Sequence, residues 1–228
     1  MNLLKSTYNT VLDALFPIAP AERWIFEAHV ESIFSLLPRA TASPISEACS
    51  IFSYKDEKTW RLVWSIKYKK SHRATALASY ALYKMLKIYS TVVTNIIVIP
   101  MPISSQRRRE RGFNQCELLS NEILQIDSET RNPETKNKLT IINNLLVRKK
   151  HTSRQTLKDK VERTESAQDL FAIDQKVLKQ TLKATPGIIN STIIIIDDVI
   201  TTGSTMREAI NTLKKAGLNN SWGLSLAH

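Results

Sequence analysis

Two adjacent aspartates followed by threonines, a glycine and a serine form the most chemically suggestive stretch of the sequence. The segment "IIIIDDVITTGST" runs from Ile193 to Thr205. Two neighbouring carboxylates repel each other and lose hydration when buried, so they need cations or hydroxyl donors nearby. Hydroxyl side chains and main-chain N–H groups at a helix start favour a phosphate dianion. The segment therefore predicts a site for a sugar phosphate.

Three functions are compatible with a buried strand that ends in two aspartates: a nucleoside triphosphate site, a purely structural role and a sugar-phosphate site. A Walker-type nucleotide site needs a GxxxxGK[ST] loop, and the five glycines of the chain, which also lack a GxGxxG pattern, supply none. A purely structural role would leave the cost of Asp197 and Asp198 unexplained. In a sugar-phosphate site, the aspartates accept hydrogen bonds from ribose hydroxyls, and Gly203 lets a phosphate oxygen approach the main chain because it has no Cβ.

The elements around this segment predict a βαβ unit. Four consecutive isoleucines indicate a strand from Thr192 to Ile196 that is covered on both faces, with the aspartates in a loop after it. A helix follows from about Ser204 to Ala216, with Gly217 after its end, and then a strand "SWGLSLA".

Earlier segments show the same alternation of helices and strands. Helical periodicity covers Glu57 to Tyr68 and His72 to Ile88, "NIIVIP" predicts a buried strand, and a helix follows through Glu117 to Ile123. "TIINNLLV" predicts one further strand. Two helices are predicted between Asn2 and Leu37, the second opening at Pro20, and the charged stretch from Arg148 to Ser166 predicts an exposed segment.

Composition restricts the possible partners and location. The net charge is +11, which favours polyanions such as nucleic acid or phosphorylated metabolites, unless the lysines only solubilise the surface. Cys49 and Cys116 are isolated, and no histidine has a ligand-spaced neighbour. Neither a membrane span nor a signal peptide is evident, so a cytoplasmic location is expected.

The segment "IIIIDDVITTGST" resembles the ribose-phosphate signature of the type I phosphoribosyltransferases. Three more motifs, "IPMPISSQRRRERGFNQ", "IKYKK" and "HTSRQTLKDKVER" followed by "DLF", resemble the ComF group of competence-related proteins in their order. The resemblance implies an α/β fold with a mostly parallel central sheet flanked by helices. It also implies an N-terminal helical appendage at residues 1–53 and a phosphoribosyltransferase-like domain at residues 54–228.

The resemblance implies roles for matching positions. Asp197 and Asp198 would hold the ribose hydroxyls, and a diphosphate loop would span the "PMPIS" turn. Arg107, Arg111 and the stretch Arg154 to Arg163 would cover the diphosphate. The ribose 5-phosphate site would comprise Asp197, Asp198, Val199, Thr201, Thr202, Gly203, Ser204 and Thr205, and the diphosphate loop Pro100, Met101, Pro102, Ile103 and Ser104.

The resemblance implies Mg²⁺-dependent transfer of a phosphoribosyl group from phosphoribosyl diphosphate to an unknown acceptor, with a link to competence and DNA uptake. ComF proteins commonly carry a four-cysteine zinc module, but the corresponding region here has Cys49 alone, so no zinc is expected. The alternative is a non-catalytic protein that binds a nucleotide or single-stranded DNA, with competence proteins as partners. Phe113 is the only aromatic residue near the arginine run, so the spaced aromatic side chains of a strand-binding surface are not evident from the sequence.

Overall fold

The computed structural model describes residues 20–90, 95–131, 138–149, 170–185 and 187–228. Within these ranges the α-helices are α1 (Arg23–Glu27), α2 (Ile33–Leu36), α3 (Glu57–Lys69), α4 (His72–Ser90), α5 (Ser105–Arg111), α6 (Gln115–Thr130), α7 (Gln175–Ala184) and α8 (Ser204–Lys215). The strands are β1 (Ala48–Phe52), β2 (Asn95–Pro100), β3 (Lys138–Ile141), β4 (Leu146–Arg148), β5 (Phe171–Ile173), β6 (Thr192–Val199) and β7 (Ser221–Ala227).

The main sheet has five parallel strands in the order β1-β7-β6-β2-β3. Strands β4 and β5 form a separate antiparallel pair. Parallel neighbours require crossover connections, and helices supply them here: α5 and α6 lead from β2 to β3, and α8 leads from β6 to β7. The predicted α/β fold with a mostly parallel sheet is confirmed.

Strand β6 lies in the middle of the sheet and is buried on both faces. Ile194 and Ile196 belong to the core on one side, which α3, α4 and α6 cover. Ile193 and Ile195 belong to the core on the other side, together with Met206, Ala209, Ile210 and Leu213 of α8. All four isoleucines are at most 1% exposed, which confirms the prediction of a strand covered on both faces.

Two strand predictions were wrong in their bounds. "TIINNLLV" is not one strand, because β3 ends at Ile141, Asn144 adopts a left-handed φ of 62°, and β4 begins at Leu146. Asparagine tolerates this conformation better than most residues, which allows a turn there. The aspartates do not lie in a loop after β6, since the strand continues to Val199.

The N-terminal segment joins the same core. Ile25, Ile33 and Leu37 pack in the cluster that contains α3 and α4. The helix predicted to open at Pro20 is broken into short pieces, with 3-10 turns at Pro20–Glu22 and Val30–Ser32 beside α1 and α2. The first predicted helix and the stretch Arg154 to Arg163 lie outside the described residues. The division after residue 53 stays a prediction.

No helix in the described part of the chain combines the length and apolar character needed to cross a membrane.

Candidate functional site

A cleft of about 300 Å³ opens where the carboxyl ends of β2 and β6 meet. Pro100 pairs with Ile196 at the end of β2, and the Met101 N–H donates to the Ile196 carbonyl at 2.9 Å. Parallel strands place their carboxyl ends at one edge, where α/β folds commonly bind ligands. The predicted residues that line this cleft are Met101, Pro102, Ile103, Arg107, Arg111, Asp197, Asp198, Val199, Thr201, Thr202, Gly203, Ser204 and Thr205.

The two aspartates have different environments. Asp198 is 4% exposed, and its Oδ2 lies 3.1 Å from the Lys67 Nζ. Apart from this ion pair, Oδ2 has no hydrogen-bond partner among the described residues. Asp197 Oδ1 accepts from the Asp198 N–H at 2.9 Å and from the Cys116 thiol at 3.5 Å.

These environments set the charges in the cleft. Burial and then the neighbouring Asp198 raise the pKa of Asp197 from 3.8 to about 7. Burial alone would lower the pKa of Lys67, but attraction to Asp198 outweighs it and the pKa is raised. Burial and then Asp197 raise the pKa of the Cys116 thiol well above its usual value. The Asp197 carboxyl therefore titrates near neutral pH, beside the ion pair that Asp198 forms with Lys67.

The turn after β6 leads directly into α8. The first turn of a helix leaves several main-chain N–H groups without helical partners, and here the residues at this end, Thr201 to Thr205, line the cleft. The Thr202 and Ser204 hydroxyls hydrogen-bond each other at 3.1 Å. The segment thus places hydroxyls and amide donors beside the acidic pair.

Gly203 also has a structural role, separate from the predicted approach of a phosphate oxygen. Its φ is +79°, a left-handed conformation that side chains with a Cβ rarely adopt. A Cβ at this position would lie 2.6 Å from Ile45 Cγ2 and 3.3 Å from Pro44 Cγ. It would therefore collide with the segment before β1, and the glycine allows that segment to support the turn.

Some of the residues predicted to bind diphosphate line the cleft, and others do not. Ser104 does not line the cleft, and its side chain instead accepts from the Arg107 N–H at the start of α5. Arg107 and Arg111 reach the cleft, whereas Arg108 forms an ion pair with Glu117 at 2.9 Å. The arginine run is thus one helix that presents two of its members to the site.

Six residues of the cleft were not predicted from the sequence: Tyr54, Lys67, Gln115, Arg148, Ile200 and Met206. Lys67 lies in "IKYKK", a motif whose resemblance implies no role for a single member. Arg148, at the end of β4, opens the stretch predicted to be exposed. Burial and the nearby Arg107 lower its pKa, while Asp197 has the opposite effect. Gln115 accepts a hydrogen bond from Arg111 at 3.0 Å.

Comparisons with known proteins agree with this geometry. Residues 127–220 match the phosphoribosyl transferase domain, and this region includes β6, the acidic pair and α8. The chain is also 31% identical to Competence protein F of Haemophilus influenzae over 132 residues.

The chain is thus similar to the phosphoribosyl transferase domain over residues 127–220, and to a protein named for competence over 132 residues. The match to the Haemophilus protein covers 57% of this chain and 50% of the relative's length. The chain thus spans about half the length of this relative, and the region matched by the domain contains the acidic segment of β6.

Proposed function

We propose that this protein binds phosphoribosyl diphosphate, or a nucleotide that contains ribose 5-phosphate, and transfers the phosphoribosyl group to an acceptor. The observation that carries the proposal is the convergence of the acidic pair, the N-terminal end of α8 and several cations on one cleft. A substrate with a 5-phosphate, vicinal hydroxyls and a diphosphate needs all three kinds of group. Asp197 and Asp198 accept from the ribose hydroxyls, while Thr201 to Thr205 bind the 5-phosphate.

The cations have a separate role in this proposal. As diphosphate leaves, negative charge grows on its oxygens, and fixed positive groups lower the barrier by stabilising that charge. Arg107, Arg111 and Arg148 line the cleft and supply such groups. Met101 to Ile103 lie at the end of β2, where main-chain groups would meet the diphosphate.

The residues present fit Mg²⁺ that arrives with the diphosphate. Magnesium prefers oxygen ligands and commonly keeps several waters, with one or two carboxylates and substrate phosphates completing its shell. Asp198 Oδ2 is buried without a hydrogen bond among the described residues, and no cluster of three acidic, histidine or cysteine side chains occurs in that part of the chain. When bound, the ion would stabilise charge on the leaving diphosphate.

Calorimetric titration with phosphoribosyl diphosphate and Mg²⁺ tests the proposal. The native protein should bind, and Asp198→Ala should lose at least about a hundredfold in affinity, because it removes the acceptor for the ribose hydroxyls. Asp198→Asn, which keeps the shape, should also bind weakly. Glu129→Ala removes an exposed acid on α6 and should bind like the native protein.

Turnover needs its own measurement. Release of diphosphate should depend on Mg²⁺ and rise when the correct acceptor is added. Absence of binding by the folded native protein would contradict the whole proposal. Binding without diphosphate release, with water or any nucleobase as acceptor, would reduce it to nucleotide binding.

We also propose a link to DNA uptake in the cytoplasm, with single-stranded DNA or competence proteins as partners. The likeness to a protein named for competence and the net charge of +11 support this link. Deletion of the gene should lower transformation frequency, and restoration of the native gene, but not of an Asp198→Ala variant, should recover it. Unchanged transformation after deletion would contradict the link.

A further inference from the structure

Helix α3 carries a row of aromatic side chains outside the cleft. Trp60, Trp64 and Tyr68 recur every four residues and therefore lie along one side of the helix. The ring centroids are 6.3 Å apart for Trp60 and Trp64 and 5.6 Å apart for Trp64 and Tyr68. Trp60 is 40% and Tyr68 61% exposed, so this aromatic stripe faces solvent over about 12 Å of helix.

A cation accompanies each ring of the aromatic stripe. Arg61 lies 5.7 Å from the Trp60 ring centre, and Lys69 lies 5.0 Å from that of Trp64. These two cations also form ion pairs with Glu57 and Glu22, which fix their positions. The third cation belongs to the neighbouring helix.

Arg111 of α5 lies 5.2 Å from the Tyr68 ring centre. Arg111 also lines the cleft, so the aromatic stripe ends at the mouth of the proposed sugar-phosphate site. Nearby, Lys70 lies over the Phe113 ring at 5.6 Å. Phe113 is the aromatic residue nearest the arginine run in the sequence, but the fold brings the aromatic residues of α3 beside α5.

We propose that the aromatic stripe of α3 binds single-stranded nucleic acid. Exposed rings offer stacking surfaces to unpaired bases of any sequence, and the interleaved cations meet the phosphates. From Glu57 to Lys70 the chain has five basic residues and one acidic residue. A second copy of this chain would bring the same positive charge to the contact, so like-charge repulsion favours a polyanion as the occupant.

This binding surface deepens the proposed link to DNA uptake and rests on residues that are largely separate from the sugar-phosphate site. Its three rings and two of its cations lie on α3, whereas the sugar-phosphate site rests on β6 and α8, and Arg111 belongs to both. The surface would give the proposed link to DNA handling a definite location. A strand that lies along the stripe would have one end directed toward the cleft through Arg111.

Fluorescence anisotropy of a labelled oligothymidylate with the full chain tests the inference. Trp60→Ala should weaken binding about fivefold or more, because loss of one stacked base is worth that much, while Trp60→Phe should retain most of the affinity. Trp222→Ala is a matched control, since Trp222 is 46% exposed but lies on β7. It should bind like the native protein.

A salt series separates stacking from phosphate contacts. Arg61→Gln should make the slope of log affinity against log salt shallower by about 0.7, the value for one phosphate contact on a single strand. Trp60→Ala should lower affinity at every salt concentration with the slope unchanged. Equal losses of slope in both variants would overturn the stacking role.

Two further measurements identify what binds to the aromatic stripe. Oligouridylate in place of oligothymidylate shows whether the sugar matters, and binding of either strand supports the inference. Binding by Trp60→Ala equal to that of Trp222→Ala would overturn it. So would sedimentation showing that Trp60→Ala dissociates an oligomer while its affinity for the strand stays native.

The two proposals fail separately. Trp60→Ala should bind phosphoribosyl diphosphate normally, and Asp198→Ala should bind the oligonucleotide normally. Both proposals stand if Trp60→Ala loses only oligonucleotide binding and Asp198→Ala loses only phosphoribosyl diphosphate binding. Loss of oligonucleotide binding in Asp198→Ala, with the fold intact by circular dichroism, would overturn the independence of the two surfaces.

Discussion

The cleft is built from two sets of residues with different origins. The acidic turn segment, Asp197 to Thr205, is contiguous and stands on the central strand and the start of α8. The cation set, Lys67, Arg107, Arg111 and Arg148, comes from α3, α5 and β4. The first set offers main-chain groups and short side chains, and the second offers long, flexible ones.

The difference teaches which parts of a site are encoded locally. A buried strand that runs directly into a helix fixes the path of every residue between them. The position of the acidic turn segment can therefore be predicted from thirteen consecutive residues of the sequence. The cation set depends on how distant helices pack. The acidic turn segment should therefore control stability and specificity, while the cation set should mainly control charge and affinity.

The largest expected effect concerns the pH dependence of Asp197. The pKa of this carboxyl is near 3.8 when unfolded and is raised to about 7 when folded, mainly by burial. Between these pH values the folded state binds more protons, so the free energy of unfolding falls as the pH rises. Its contribution is most favourable below the unfolded pKa and is lost as the pH passes the folded pKa.

Asp197→Asn should remove this decline. At pH 8 the variant should gain at most about 4 kcal/mol in free energy of unfolding, and near pH 4 it should gain little. Urea denaturation at several pH values measures the difference. Glu129→Gln is the control for loss of an exposed carboxylate. Equal gains at pH 4 and pH 8 would show that Asp197 does not titrate in this range.

Breaking the contact between the two sets should have the next largest effect. Lys67→Met leaves Asp198 buried without its cation, which should lower the free energy of unfolding by about 3 kcal/mol at pH 8. The double variant Lys67→Met with Asp198→Asn should recover most of that loss, because no unpaired charge remains. Denaturation of all four members of this cycle measures the coupling, and strictly additive effects would contradict the ion pair.

A substitution at Gly203 tests whether main-chain conformation and packing hold the acidic turn segment in place. Gly203→Ala should cost about 2 kcal/mol of stability, from the left-handed φ together with the collision with Ile45.

Two other glycines separate these contributions. Gly112 has a φ of +77° with open space where a Cβ would stand, and Gly187 has open space without a positive φ. Gly112→Ala should therefore show only the conformational cost, and Gly187→Ala should be close to neutral. Thermal denaturation ranks the three variants. If Gly203→Ala were no worse than Gly112→Ala, the contact with Ile45 would have no energetic weight.

The smallest effect is expected from a single member of the cation set. Arg148→Gln should lower the affinity for phosphoribosyl diphosphate about tenfold, the order expected for one charge-assisted contact, and leave stability nearly unchanged. Arg109→Gln, on α5 but outside the cleft lining, is the matched control. Titration at low salt measures both. Equal affinities in the two variants would remove Arg148 from the proposed site.

Prediction from sequence succeeded where one segment determined its own environment. Four consecutive isoleucines required cover on both faces, and Gly217, with a φ of +85°, follows the end of α8 as expected. The prediction of one strand through Asn143 and Asn144 failed because an apolar run was given more weight than a turn signal. Burial alone did not fix the bounds of β3 and β4.

The cation set and the aromatic stripe depend on contacts between helices and strands that hydrophobic periodicity in the sequence does not reveal. Lys67, Trp64 and Tyr68 occupy neighbouring positions on α3 but face different partners, Asp198 in one case and cations in the others. Periodicity separated the buried face of α3 from the rest. It could not show that β6 and α5 would stand beside the remaining positions, because those contacts join residues far apart in the chain.

The contact of Gly203 with Pro44 and Ile45 has a consequence for assembly. The turn that contains Gly203 rests on Pro44 and Ile45, which are translated about 160 residues before it. A fragment that begins after residue 53 would retain every letter of the acidic turn segment and lack the surface that supports Gly203. The conformation of the acidic turn segment thus depends on Pro44 and Ile45, which carry no reactive group.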